Sequence, residues 1–336
     1  MKLVLLGATG AVGRALLELL EERDTPVESL KLLASERSAG TELEVRGESY
    51  PVEALAEGAF RGADVAIFAA PPDVAKAWAP RARADGCRLV IDLSPAFRMD
   101  PDVPLAVAGV NDAGLSIGAR GLVACPGATA LQLVAALTPL HAAAGVERAA
   151  VTALQSASGA GRRGVAQLEQ EAQALMNGVE PEPGPAFPHR LAFNLVPAAG
   201  AFGPSGYGEE ELRIAAETRR AMNALELPVT ATVVRVPVFY GHAAALNVRT
   251  RRKLPAAEAR EALKRSPWVK VIDEPVQGVY PMPMLAVADD GVHAGRVRDD
   301  LSKPNGLELF LVAENLRTCA ASNALRLAER LAGPVR

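Results

Sequence analysis

The sequence predicts a two-part α/β protein: a doubly wound, Rossmann-type parallel sheet domain plus an α+β domain with a mixed or antiparallel sheet. Three observations carry this. The first half alternates short apolar runs with helical spacing, the pattern of a parallel sheet covered on both faces. A glycine turn, Gly7-Ala8-Thr9-Gly10-Ala11-Val12-Gly13, joins the first apolar run to the first helical stretch. The second half holds longer β-rich runs with fewer helices between them, as an antiparallel or mixed sheet would. The chain has 336 residues, room for two domains at ~100–200 residues each.

Taken in order, Leu3–Leu6 reads as a buried strand and Val12–Glu22 as an amphipathic helix. Leu30–Ala34, Val65–Ala70 and Arg88–Asp92 are further strands, with a helix over Val74–Ala84. Leu122–Ala124 closes this series and leads into a helix from Thr129 to His141. Beyond it, Val151–Gln155, Thr230–Val238, Ala244–Val248 and Leu307–Ala313 are β-rich, and Val165–Leu175 and Glu210–Leu225 are helical. Val179–Pro188 is rich in Pro and Glu and reads as an exposed loop. Thr318–Leu331 has helical spacing.

Composition excludes several classes. Hydrophobic residues make up 49% of the chain and the formal net charge is −3, so no basic footprint for nucleic acid is present. No apolar run approaches the ~18 residues of a membrane helix. The first apolar run is read as a core strand, not a signal peptide. Three cysteines (Cys87, Cys125, Cys319) without metal-type spacing predict a reduced, cytoplasmic setting. Four histidines without a cluster predict no metal site.

The glycine turn is a variant dinucleotide fingerprint. Its glycines permit a tight turn, and the helix that follows offers backbone N–H groups to a pyrophosphate. Gly7, Thr9, Gly10, Ala11, Val12 and Gly13 are therefore the candidate phosphate-binding residues. At the end of the second strand, Ser35-Glu36-Arg37-Ser38 carries both an acid, which would bond a ribose 2′-OH, and an arginine, which would take a 2′-phosphate.

The segment Val123-Ala124-Cys125-Pro126-Gly127-Ala128-Thr129-Ala130-Leu131-Gln132 resembles the active-site segment of aspartate-semialdehyde dehydrogenases. Aligned on the Pro and the Gln, that family's catalytic cysteine falls on Ala128. Further segments extend the resemblance over nearly the whole chain: Asp92-Leu93-Ser94-Pro95-Ala96-Phe97-Arg98, Leu154-Gln155-Ser156-Ala157-Ser158-Gly159-Ala160-Gly161, Phe187–Asn194, Glu210-Glu211-Leu212-Arg213, Arg235-Val236-Pro237-Val238-Phe239-Tyr240-Gly241-His242 and Ala313-Glu314-Asn315-Leu316-Arg317.

The resemblance implies roles residue by residue. Arg98 and Arg213 would bind phosphate, Glu210 a substrate amine and Arg235 a substrate carboxylate, a task suited to a bidentate guanidinium. Gln155 would orient the thioester, and His242 would be the general base, with an ordinary pKa near working pH. Ser35, Arg37 and Ser38 would bind the cofactor, favouring NADP over NAD. The final helix would return to the first domain, giving residues 1–127 plus 318–336 for NADP and 128–317 for substrate binding and dimerisation.

In the resembled enzymes a thiolate adds to an aldehyde, a hydride leaves to NADP and phosphate cleaves the thioester. Ala128 offers no nucleophile. The chain is accordingly expected to be a Usg-type paralogue: a homodimer binding NADP and a small anionic, amino-acid-like ligand, with little or no dehydrogenase activity. The alternative is an active enzyme with Cys125 as substitute nucleophile and His242 as base. Thr129, whose hydroxyl would form an ester, is a weaker candidate.

Overall fold

The computed structural model describes residues 1–113, 115, 117, 120–182, 184–287 and 289–332. The chain forms two compact units, Met1–Gly127 with Ala320–Arg336, and Ala128–Cys319.

The first unit is built on β1 (Lys2–Leu6), α1 (Ala11–Glu22), β2 (Ser29–Ala34), β3 (Glu42–Val45), β4 (Glu48–Ala54), β5 (Val65–Phe68), α2 (Pro72–Ala84), β6 (Leu89–Asp92) and β7 (Leu122–Ala124). The sheet order is β3-β4-β2-β1-β5-β6-β7. Leu3 faces Leu30 on one side and Val65 on the other, both in parallel register. The strand order therefore reverses at β1, and the crevice beyond the carboxyl ends of β1 and β5 is where such sheets bind ligands. Leu3, Val4, Leu5 and Leu6 are all buried, as expected of a central parallel strand with no solvent face.

The sheet is parallel except at its edge, where β3 and β4 form an antiparallel hairpin with Glu42 opposite Pro51. Its turn residues Arg46 and Gly47 have φ of 54° and 76°, as a two-residue type I′ turn requires. The left-handed Arg46 is held by its own side chain. Its Nε donates to the Leu20 carbonyl (2.8 Å) and its Nη2 to that of Arg23 (2.6 Å), so the guanidinium caps the end of α1.

The second unit contains α3 (Ala128–Ala144), β8 (Val146–Gln155), α4 (Gly161–Met176), α5 (Glu209–Ala221), β9 (Val229–Arg235), β10 (His242–Thr250), α6 (Ala256–Leu263), β11 (Val269–Val271), α7 (Pro283–Ala286), β12 (Val292–Asp299) and β13 (Gly306–Ala313). The sheet order is β11-β12-β13-β10-β8-β9. β8 runs parallel to β9 and β11 to β12, while the other pairs are antiparallel, so the sheet is mixed.

Several expected elements have different bounds. The strand expected over Thr230–Val238 ends at Arg235, two residues before Pro237, which cannot donate to a ladder. The helix expected to reach Leu225 stops at Ala221. The last segment opens as a π-helical turn over Arg317–Ser322 and becomes α8 (Asn323–Leu331) only afterwards. The expected exposed loop over Val179–Pro188 is pinned at its end: Phe187 is buried, and the backbone N–H groups of Ala186 and Phe187 donate to Gln167 Oε1 at 2.8 and 3.3 Å. Pro183 in that loop lies outside the described residues.

α8 belongs to the first unit and is tied to it by buried polar bonds. Asn323 Oδ1 accepts from the Ala108 N–H (2.9 Å) and its Nδ2 donates to the Ala106 carbonyl (3.0 Å). Arg330 pairs with the buried Asp112, and Thr25 Oγ1 donates to Glu329 (2.6 Å). Among the described residues no helix is long and apolar enough to cross a membrane.

Candidate active site

In the first unit, Gly7 leaves β1 at φ +88°, and a Cβ there would lie 2.2 Å from the Ala69 carbonyl oxygen. A Cβ on Gly13 would lie 2.2 Å from the Gly7 carbonyl oxygen. Both positions exclude every side chain by direct collision with backbone, and the turn is as tight as a close approach to a phosphate demands. Gly10 caps α1, and the first helical N–H groups, at Ala11, Val12 and Gly13, have no partner within the helix by construction. Thr9 is half-buried on the turn. The cradle and the donor set both fit a dinucleotide pyrophosphate. Ser35, Glu36 and Arg37 are exposed on a short 3-10 turn after β2, and Ser38 is half-buried.

At the far side of the same sheet, the carboxylate of Asp92 ends β6 in a buried position. Burial lifts its pKa to about 6 although Ser94 donates both its N–H (3.1 Å) and its hydroxyl (2.8 Å) to it. Arg98 reaches back to the Leu93 carbonyl through Nη2 (2.8 Å). Cys125 follows β7 and is 1% exposed. Burial, helped by the charge of Asp92, pushes its thiol up to about 12. A nucleophilic cysteine needs the opposite environment, partly exposed and electropositive.

In the second unit, strand pairing gathers the candidate side chains. Gln155 stands opposite Arg235 in the parallel pair β8–β9, and Ala243 opposite Leu154 in the antiparallel pair β8–β10. The ends of three adjacent strands therefore bring Gln155, Arg235 and His242 to one edge of the sheet. Gln155 is buried, and its Nε2 donates to Thr129 Oγ1 and to Glu210 Oε1, both at 3.2 Å. Thr129 is the second residue of α3, so this bond links the sheet edge to the helix start where Ala128 stands half-buried.

Arg235 is half-buried; burial lowers its pKa and Glu210 opposes that shift. His242 is fully within the protein, and burial, then the Arg235 charge, lowers its pKa to about 3, so the ring is neutral at physiological pH. A Cβ placed on Gly159 would lie 2.4 Å from Arg235 Nη1 and 3.1 Å from His242 Nε2. The missing side chain at Gly159 thus lets Arg235 and His242 pack directly against its backbone, and Arg235 Nη1 donates to the Ser156 carbonyl (3.4 Å). Arg213 instead pairs along its own helix, 2.9 Å from Glu209 and 3.6 Å from Glu210.

The structure assembles Gln155, Glu210, Arg235 and His242, with Ala128 one residue from the linking Thr129. It engages Arg213 in local ion pairs. Sequence reasoning missed the polar bed beneath His242. The Ser156 N–H (3.2 Å) and Oγ (3.0 Å) contact its Nδ1, and Asn315 Oδ1 accepts from Ser158 Oγ (2.9 Å), Ser156 Oγ (3.2 Å) and the Gly241 N–H (3.2 Å). These residues are far apart in sequence, so no local spacing announces them. Among the described residues no His, Cys, Asp and Glu group could hold a metal ion.

A doubly wound unit with a glycine turn, and a mixed sheet with a polar cluster at its edge, define the class of two-domain NAD(P)-binding oxidoreductases. Residues 2–118 match the family model for the semialdehyde dehydrogenase NAD binding domain, and residues 137–318 match that for its dimerisation domain. The chain belongs to the aspartate-semialdehyde dehydrogenase family. It is 43% identical to the aspartate-semialdehyde dehydrogenase of Aquifex aeolicus over 98% of this chain and 97% of that one. It is 39% identical to that of Synechocystis, with the same coverage. The crystal structure of aspartate semialdehyde dehydrogenase II from Vibrio cholerae matches with a TM-score of 0.94 at 38% identity, covering 98% of each chain.

Proposed function

We propose that this chain is a homodimeric paralogue within its family that binds NADP and a small anionic, amino-acid-like ligand and has little or no semialdehyde dehydrogenase activity. One observation carries the reading. The polar groups of the site are assembled, but a methyl group stands at Ala128, where the family's thiol would be.

A bound NADP would supply the hydride acceptor. The turn from Gly7 to Gly13 would hold its pyrophosphate, and Arg37 with Ser35 and Ser38 its 2′-phosphate. Arg235 would grip a ligand carboxylate, and Glu210 an ammonium group. None of these groups forms a covalent bond to an aldehyde carbon, so binding survives without turnover. The substitute thiol is disfavoured: Cys125 is buried and its pKa of about 12 keeps it protonated. The three cysteines are free thiols, which suits a reducing cytoplasmic setting. The match to the dimerisation model supports the homodimer.

Titration with NADP and NAD, combined with sedimentation, tests the binding half of this reading. The expected result is a dimer that binds NADP more tightly than NAD. A monomer, or a chain that binds neither nucleotide, contradicts it.

A further inference from the structure

A cavity lies in the first unit, away from the glycine turn. Its volume is about 450 Å³, within the ~300–1,000 Å³ of small-molecule sites. Its apolar walls include Ala79 of α2, Phe97 of the segment after β6 and Leu122 at the start of β7. Ala79 and Leu122 are buried and Phe97 is half-buried. Leu122 pairs with Val90, near the amino end of β6. α2 starts at Pro72, beyond the carboxyl end of β5, and runs back along the sheet, so Ala79 and Arg83 lie on its returning half. The cavity therefore sits toward the amino end of the sheet, opposite the crevice in which such sheets bind a dinucleotide.

Three charged side chains complete the lining: Arg83, Arg120 and Asp100. Arg120 is already paired, with Nη1 2.7 Å from Asp100 and Nη2 3.4 Å from Asp102. Arg83 differs: among the described residues no carboxylate pairs with it, and its one hydrogen bond runs from Nη1 to the Cys87 carbonyl. Its Nε is buried without a partner, which is unfavourable for a charged donor. Gly121 makes room for this guanidinium. A Cβ there would lie 2.5 Å from Arg83 Cζ and 2.7 Å from the Arg88 carbonyl oxygen, so only bare backbone fits beside it. An apolar wall next to one unneutralised guanidinium suits an apolar body that carries a single oxyanion, and the side of the fork not used by Nη1 can take a carboxylate. We propose that this cavity is a binding site for a small aromatic monocarboxylate, with the carboxylate on Arg83 and the ring on Ala79, Phe97 and Leu122. The site does not depend on Ala128 or on whether the chain turns over.

The test is calorimetric titration of the full chain with 2-naphthylacetate, and with 2-naphthaleneethanol as a similar body without the charge. The expected Kd for the acid is about 1 mM or tighter, with the alcohol at least about tenfold weaker. Arg83→Gln should weaken the acid by about tenfold or more. Arg120→Gln leaves Asp100 bare beside the ligand and should weaken it by about threefold. Saturating NADP should leave the affinity for the acid unchanged. In protein with labelled alanine and leucine methyl groups, the acid should shift the Ala79 and Leu122 signals. No binding at about 10 mM acid, equal affinity for the alcohol, displacement by NADP or full affinity in Arg83→Gln overturns the proposal. If Arg83→Gln does not fold, the methyl signals decide: Ala79 and Leu122 unmoved at saturating acid overturns it.

Discussion

Two helix starts in this chain have met different fates. α1 begins after a turn in which Gly7 and Gly13 admit no side chain, since a Cβ at either would lie 2.2 Å from a backbone oxygen. α3 begins at Ala128, where the resemblance implies a cysteine in the family. The first start serves binding, which needs only shape and N–H groups. The second would serve covalent chemistry, which needs one particular atom. On the proposed reading, the difference teaches that a fold would lose its reaction through a single side chain while its binding groups stay in place.

Restoring that atom should have the largest effect. Ala128→Cys is expected to raise phosphate-dependent NADP reduction with aspartate semialdehyde by about tenfold or more over the unmodified chain. No rise in an Ala128→Cys variant that folds and binds NADP would mean that more than the thiol is missing.

Gly7→Ala attacks the other helix start. Collision with Ala69 and a left-handed backbone should together cost about 3 kcal/mol of stability and abolish NADP binding. Urea denaturation and a nucleotide titration read both, and an unchanged NADP affinity would undo the assignment of the turn. Arg235→Ala should weaken succinate binding by roughly 10- to 100-fold, the loss of a charge-assisted pair, and leave NADP affinity alone. Equal losses for both ligands would mean that the residue acts through the fold.

The pH dependence of stability follows from His242. Its folded pKa of about 3 lies below the ordinary value, so the folded state binds fewer protons than the unfolded one. Its contribution is present above about pH 6.5 and is lost as pH falls through about 3. His242→Gln should therefore flatten the acid limb of the stability curve; an unchanged slope would mean the ring is solvated. The smallest effect belongs to Cys125→Ser, which should lower stability by about 1–2 kcal/mol in urea denaturation. Should the unmodified chain turn over, loss of that turnover in Cys125→Ser would revive Cys125 as the nucleophile.

Much of this was legible in the sequence because it is local. The Gly7–Gly13 turn follows an apolar run and precedes a helical one, and the structure has β1 and α1 there. The choice between a mixed and an antiparallel second sheet was not legible, since strand direction depends on pairings such as Gln155 with Arg235, 80 positions apart in the chain. The β3–β4 hairpin went unread because its strands are largely polar and its turn places an arginine, Arg46, in the left-handed region where Asn or Gly is the usual signal. The bed of Ser156, Ser158 and Asn315 was hidden for the same reason of distance: Ser156 and Asn315 are separated by 159 positions. The residues stood inside motifs already noticed, but their roles exist only once the sheet edge is formed.

The most direct measurement is phosphate-dependent reduction of NADP by the purified chain with aspartate semialdehyde, in a preparation free of any host dehydrogenase and with NADP binding checked on the same sample. The account predicts a chain that holds the nucleotide and shows no turnover above background. Turnover well above background, abolished when phosphate is withheld, would contradict it and show that a thiol-free helix start, or a thiol elsewhere, still does the chemistry.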